Sequence, residues 1–141
     1  MPTSLDVLFV CQHGAAKSVI AARHLAELAH VRGLTLNAAA AGVEPDEVIP
    51  PHVIAGLRGD GVDDCEAPPQ AVTRELLERA GIVVSFGCDL SAFAEPSGQI
   101  VQWKDVPAVS DGYDAARTAI LSRLHAILDE VEQRSDKEPR G

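Results

Sequence analysis

The chain has 141 residues, 46% of them hydrophobic and 23% charged, which suits one globular domain with a sizeable core. Its formal charge of −9 argues against nucleic acid or an anionic membrane as a partner, because both demand basic surface. No apolar run approaches the roughly 20 residues that span a bilayer, and Met1 to Asp6 lack the basic flank and apolar stretch of a secretion signal, so a cytoplasmic protein is expected.

In chain order, Leu5 to Val10 is a short apolar run of strand formers that ends abruptly at Cys11-Gln12-His13-Gly14. From Ser18 the period changes: Val19, Ala22, Leu25 and Ala29 recur at three and four, the stripe of a buried helix face, and Gly33 is placed to end that helix. Leu34 to Ala41 is expected to be a second strand, although alanine is a poor strand former. A proline-rich loop over Gly42 to Pro51 leads to a short helix over His52 to Arg58 and a Gly59-Asp60-Gly61 turn. A helix over Thr73 to Ala80 has Thr73 as its candidate cap. Ile82 to Phe86 is nearly all apolar, as in a strand buried on both faces, and Gln99 to Trp103 is a further strand. Ala116, Ile120, Leu124, Ile127, Leu128 and Val131 form the stripe of a last helix, from about Asp114 to Gln133, with Asp111 and Asp114 near its start as capping charges. Ser135 to Gly141 is expected to fray.

Strands alternating with helices imply an α/β fold in three layers, a four-stranded parallel sheet with helices on both faces, within a single domain over residues 1–141. Ligands of such sheets bind beyond the carboxyl ends of the strands, so the loop after the first strand is the first place to look for chemistry. That loop starts with a cysteine. The three cysteines, Cys11, Cys65 and Cys88, are odd in number and widely spaced, with no CxxC pair, which speaks against a zinc site, a thioredoxin motif or a structural disulfide.

Between Cys11 and Ser18 the chain reads Gln12, His13, Gly14, Ala15, Ala16, Lys17. A short loop from a strand end to a helix start can turn its backbone N–H groups inward and, with the positive end of the helix, make an anion cradle; the small residues Gly14, Ala15 and Ala16 permit close approach. The same field favours the thiolate form of a cysteine at the loop entrance. Lys17 adds a positive charge, and the Ser18 hydroxyl is placed to donate to the thiolate. One loop thus offers nucleophile, oxyanion cradle and clamp. The plainer alternative is that Cys11 is a small buried hydrophobe at a strand end. His13, inside the loop, either contacts substrate or is structural. His24, His30, His52 and His125 have no ligand spacing and read as surface or helix-face residues, and no metal is expected.

This loop resembles that of the low-molecular-weight protein tyrosine phosphatase superfamily, a cysteine, five residues, arginine and serine after a first strand. Within it the chain is most similar to the arsenate reductase branch. Ala41-Gly42-Val43-Glu44-Pro45, Val83 to Asp89 and Trp103-Lys104-Asp105-Val106-Pro107 resemble three further stretches of that branch. The resemblance runs from about Asp6 to Val131. It implies Cys11 as nucleophile on arsenic or phosphorus, the backbone from Gln12 to Ser18 as oxyanion holder, Ser18 as thiolate stabiliser and Asp105 as candidate general acid.

Four departures bear on activity. Lys17 stands where the family has arginine, keeping the charge and losing the two-pronged grip. Gly14 replaces an asparagine that braces the loop. Asp105 is separated from Pro107 by Val106, where the family has aspartate directly before proline. Cys88 matches the first cysteine of the thioredoxin-coupled relay, but Glu95 occupies the second position, and Cys65, between Asp64 and Glu66, is expected to be inert. Three readings follow: an arsenate reductase-like enzyme that uses an external thiol such as mycothiol or glutathione, a thiol-redox protein, or Cys88; a phosphatase acting on phosphotyrosine or small phosphate esters; and a non-catalytic relative that only binds an oxyanion (arsenate, phosphate or sulfate) or a protein partner.

Overall fold

The computed structural model describes residues 5–12, 16–44, 49, 51–61, 70–87, 99–107, 109 and 112–137, with the side chains at 5 and 134–137 outside the description. The strands are β1 (Leu5–Cys11), β2 (Leu36–Gly42), β3 (Ile82–Ser85) and β4 (Gln99–Gln102). The helices are α1 (Lys17–Arg32), α2 (Pro51–Gly59), α3 (Arg74–Arg79) and α4 (Tyr113–Lys137). All three strand pairings are parallel, in the order β2-β1-β3-β4. The chain leaves β1 toward one neighbour and returns on its other side, so β1 lies where the winding reverses, the place beyond whose carboxyl end such sheets bind ligands.

The period of two along each strand divides the core between the faces. Val7 and Phe9 of β1 and Ile82 and Val84 of β3 pack with Val19, Ile20, Leu25, Val53, Leu57, Ile120, Leu124 and Leu128, so α1, α2 and α4 cover one face. Leu8, Val10 and Val83 meet Val72, Leu77 and Ala80 at α3 on the other. The three-layer expectation holds, and every residue of the expected last-helix stripe is buried.

Element ends differ by local causes. β2 starts at Leu36, not Leu34, because Gly33 adopts a left-handed φ of 71° and the Leu34 N–H returns 2.8 Å to the Ala29 carbonyl, which keeps residue 34 in the helix cap. Thr73 caps α3 as expected, its hydroxyl accepting from the Leu76 N–H at 3.1 Å. α2 opens one residue early on Pro51, whose missing N–H costs nothing at a helix start. α4 continues to Lys137, past the expected end near Gln133, and 138–141 lie outside the described residues. Asp114 sits inside the first turn of α4, and Asp111 lies outside the described residues.

Candidate active site

Cys11 is the last residue of β1, paired with Gly42 of β2, and it shares a strand face with Val7 and Phe9. That alternation sends its side chain toward α1, where Ser18 is the second helical residue. Sγ of Cys11 lies 3.0 Å from Oγ of Ser18, with Cys11 7% and Ser18 0% exposed. At the start of α1, Ala16 supplies no side-chain cap, and no acidic residue lies in the first turn. The first N–H groups of a helix have no partner within it, so this end of α1 turns donors without intrahelical partners, and a positive pole, toward the sulfur. Lys17, half-buried, opens the helix at the same point, and Ala16 is half-buried beside it.

The loop entrance is braced from both sides. The Val43 and Glu44 N–H groups donate to the Cys11 and Gln12 carbonyls at 3.2 and 2.8 Å, and Phe86 N–H donates to the Val10 carbonyl at 2.9 Å. Gln12 is exposed at the rim. His13, Gly14 and Ala15, named from the sequence as cradle residues, lie outside the described residues.

The model of the low molecular weight phosphotyrosine protein phosphatase family matches residues 6–95. The chain belongs to this family. Among solved structures, this family member resembles the thioredoxin-dependent arsenate reductase of Corynebacterium glutamicum, with a TM-score of 0.79 and 24% identity over 93% of this chain. That match covers 63% of the reductase, so the chain spans a little under two thirds of its length. A low molecular weight protein tyrosine phosphatase from Bacillus subtilis gives a TM-score of 0.77 and 20% identity over 92% of this chain and 98% of the other. The YwlE arginine phosphatase of Geobacillus stearothermophilus gives 0.78 and 18% over 97% and 99%. No curated protein matches the sequence. These likenesses establish the phosphatase fold, and the three neighbours differ in activity.

The other candidate residues of this phosphatase-family chain fare unequally. Asp105 follows β4, at the carboxyl edge of the sheet where Cys11 also lies, but its side chain is 79% exposed and its Oδ1 stands 2.7 Å from Nη2 of Arg123 in the third turn of α4. Arg123 was not singled out in the sequence; its spacing from Asp105 is not one that any local period connects. Cys65, Cys88 and Glu95 lie outside the described residues. Among the described residues no group of three or more His, Cys, Asp or Glu side chains is placed to hold a metal, and no helix is long and apolar enough to cross a membrane.

Of the two alternatives expected for His24, surface or helix face, the structure gives the second. His24 is not a surface residue: it is 7% exposed, and its Nε2 stands 3.3 Å from Oδ2 of Asp60, just past the end of α2. The same oxygen accepts from the Tyr113 hydroxyl at 2.9 Å and lies 2.9 Å from Nε of Arg117, both in the first turns of α4. Burial lowers the His24 pKa against the pull of Asp60, so the ring is neutral at pH 7. The Tyr113 pKa is raised, first by burial and then by its bond to Asp60, and the phenol keeps its proton. The first half of α1 is buried almost all round, from Ser18 to Ala22 and again at His24 and Leu25, so His24 is covered by neighbours outside the predicted stripe. Its place at i+4 from Ile20 and i+3 from Ala21 was the available signal.

Proposed function

We propose that the chain is a thiol-dependent enzyme acting on tetrahedral oxyanions, and that its substrate is arsenate. The observation that carries this is the 3.0 Å Cys11–Ser18 contact at an uncapped helix start. The Cys11 thiolate attacks arsenic, and one oxygen leaves as water after taking protons; Ser18 donates to the sulfur, and the backbone from Gln12 to Ser18 with Lys17 holds the remaining oxygens. Reduction of arsenic(V) to arsenic(III) needs two electrons. Two thiols supply them by becoming a disulfide: Cys11 and an external low-molecular-weight thiol such as mycothiol or glutathione, or a thiol-redox protein, with Cys88 as an internal alternative. The arsenic–sulfur bonding pair leaves with arsenic, and a second thiol restores Cys11. Arsenic(V) exchanges its oxygens more readily than phosphorus(V), so it asks less of a single-point lysine clamp and of Asp105, whose carboxylate is tied to Arg123.

A second reading has its own support. The phosphatase neighbours match over nearly their whole length, 98% and 99%, whereas the arsenate reductase is a longer protein. In that reading Cys11 forms a phosphocysteine from an aryl or small phosphate ester, water resolves it, and Asp105 protonates the leaving oxygen once it parts from Arg123.

Parallel assays of arsenate with mycothiol, glutathione or thioredoxin, and of an aryl phosphate, on wild type, Cys11→Ser and Lys17→Arg separate these readings. Thiol-dependent arsenite production lost in Cys11→Ser supports the first, and Cys11-dependent ester hydrolysis without it supports the second. Tight sulfate binding with neither turnover would leave only an oxyanion-binding protein.

A further inference from the structure

Asp60 gathers more donors than its geometry satisfies. Tyr113 is aligned on Oδ2 as a hydrogen-bond donor, while Nε of Arg117 and Nε2 of His24, at 2.9 and 3.3 Å from the same oxygen, are both buried and have no aligned hydrogen-bond partner among the described residues. Two buried donors therefore compete for one carboxylate oxygen that a third already occupies. Such a cluster has a second arrangement available, because a small rotation improves one contact at the expense of the other.

The cluster sits where it can act on the Cys11 loop. His24 rides on α1, whose first turn carries Lys17 and Ser18. Asp60 ends α2, which follows the segment whose Val43 and Glu44 N–H groups hold the Cys11 and Gln12 carbonyls. Tyr113 and Arg117 belong to α4, and the Tyr113 ring lies flush on Gly56 of α2. Asp60 is thus a three-way tie among α1, α2 and α4, and α1 carries Lys17 and Ser18 of the loop in its first turn.

We propose that protonation of His24 exchanges the partners of Asp60, with His24 taking the carboxylate from Arg117, and that this exchange slackens the oxyanion grip of the Cys11 loop. This coupling rests on the oxyanion site read above; the exchange itself does not. The charged groups that face His24 are Asp60 from the end of α2, Arg117 from α4 and Glu27 from its own helix, with the Tyr113 phenol neutral beside them. Neutral His24 leaves the carboxylate to Arg117 and Tyr113. Imidazolium is repelled by Arg117 and drawn to Asp60, so one proton reverses the order of preference.

The test uses the full chain labelled with 15N. The imidazole nitrogens of His24 are titrated in wild type, Arg117→Gln and Arg117→Lys. Removal of the competing charge in Arg117→Gln is expected to raise the His24 midpoint by at least about half a pH unit, while Arg117→Lys stays near wild type. Sulfate, dianionic throughout, then reports on the loop: its affinity for wild type is expected to fall about fivefold between about pH 7.5 and about pH 5.5, and to vary distinctly less in His24→Gln. An unmoved midpoint in Arg117→Gln, or equal shifts in the Gln and Lys variants, overturns the exchange. The same pH course of sulfate affinity in wild type and His24→Gln overturns the coupling alone. If sulfate binds at no pH, the coupling and the proposed Cys11 site fall together.

Discussion

The Cys11–Ser18 pair and the Asp60 cluster are both buried polar contacts along α1, and they are built in opposite ways. The first joins a sulfur and a hydroxyl at 3.0 Å beside a helix start whose first turn holds no acidic side chain. The second is crowded, with three donors from two helices on a single carboxylate oxygen at the end of a third. A place with spare donors is made to receive an anion from outside. A place that supplies its own anion is closed to ligands and serves instead to hold helices together. The same helix therefore carries the proposed site at its first turn and a tie two turns later.

The sharpest test of that contrast is Cys11→Ser, expected to lower turnover by about 10³-fold or more in steady-state assays while sulfate binding persists, because the cradle is backbone and only the nucleophile is lost. Ser18→Ala comes next. It removes the hydroxyl beside the sulfur and should reduce kcat by about 10²-fold with a modest loss of stability; an unchanged kcat would falsify the role given to that hydroxyl. At the tie the readout is stability. A Cβ on Gly56 would lie 2.5 Å from the Tyr113 ring, so Gly56→Ala should cost about 2–3 kcal/mol in urea unfolding, by forcing Tyr113 off Asp60.

The pH dependence follows from His24. Its folded pKa is depressed below 6.5, so the unfolded chain binds the proton first as pH falls. The stability that neutral His24 contributes is complete above about pH 6.5 and is lost as the pH drops toward the folded value. Urea midpoints measured across this range should decline more steeply for wild type than for His24→Gln, and parallel curves would remove His24 from the account. The smallest effect lies outside both regions: Thr73→Ala should cost about 1 kcal/mol through the lost α3 cap, with kcat unchanged.

Legibility tracked distance along the chain. Cys11 and Ser18 are seven residues apart, at the end of one strand and the start of the next helix, so local pattern sufficed to place them together. Apolar runs likewise marked β1 and β3, and helical spacing marked α1 and α4, because each of these elements buries residues that its own stretch of chain reveals. His24, Asp60 and Tyr113 come from three separate helices, and the Tyr113–Asp60 bond closes 53 residues of chain. Nothing in the vicinity of any of them announces the others. Asp105 shows the same limit from the other side: local likeness made it an acid, while its partner Arg123 is chosen by how α4 lies against the end of β4.

By itself, then, the sequence determined what neighbours in the chain can determine: the alternation of strands and helices, the thiol at a strand end and the family to which these belong. Tertiary structure alone decided which charges meet. It buried His24, brought three donors to Asp60 and gave the Asp105 carboxylate to Arg123. The physical reason is range. Hydrophobic periodicity and helix starts are properties of a few consecutive residues, whereas the partner of a charge is whatever the packed helices bring within about 4 Å, and that is known only once they are packed.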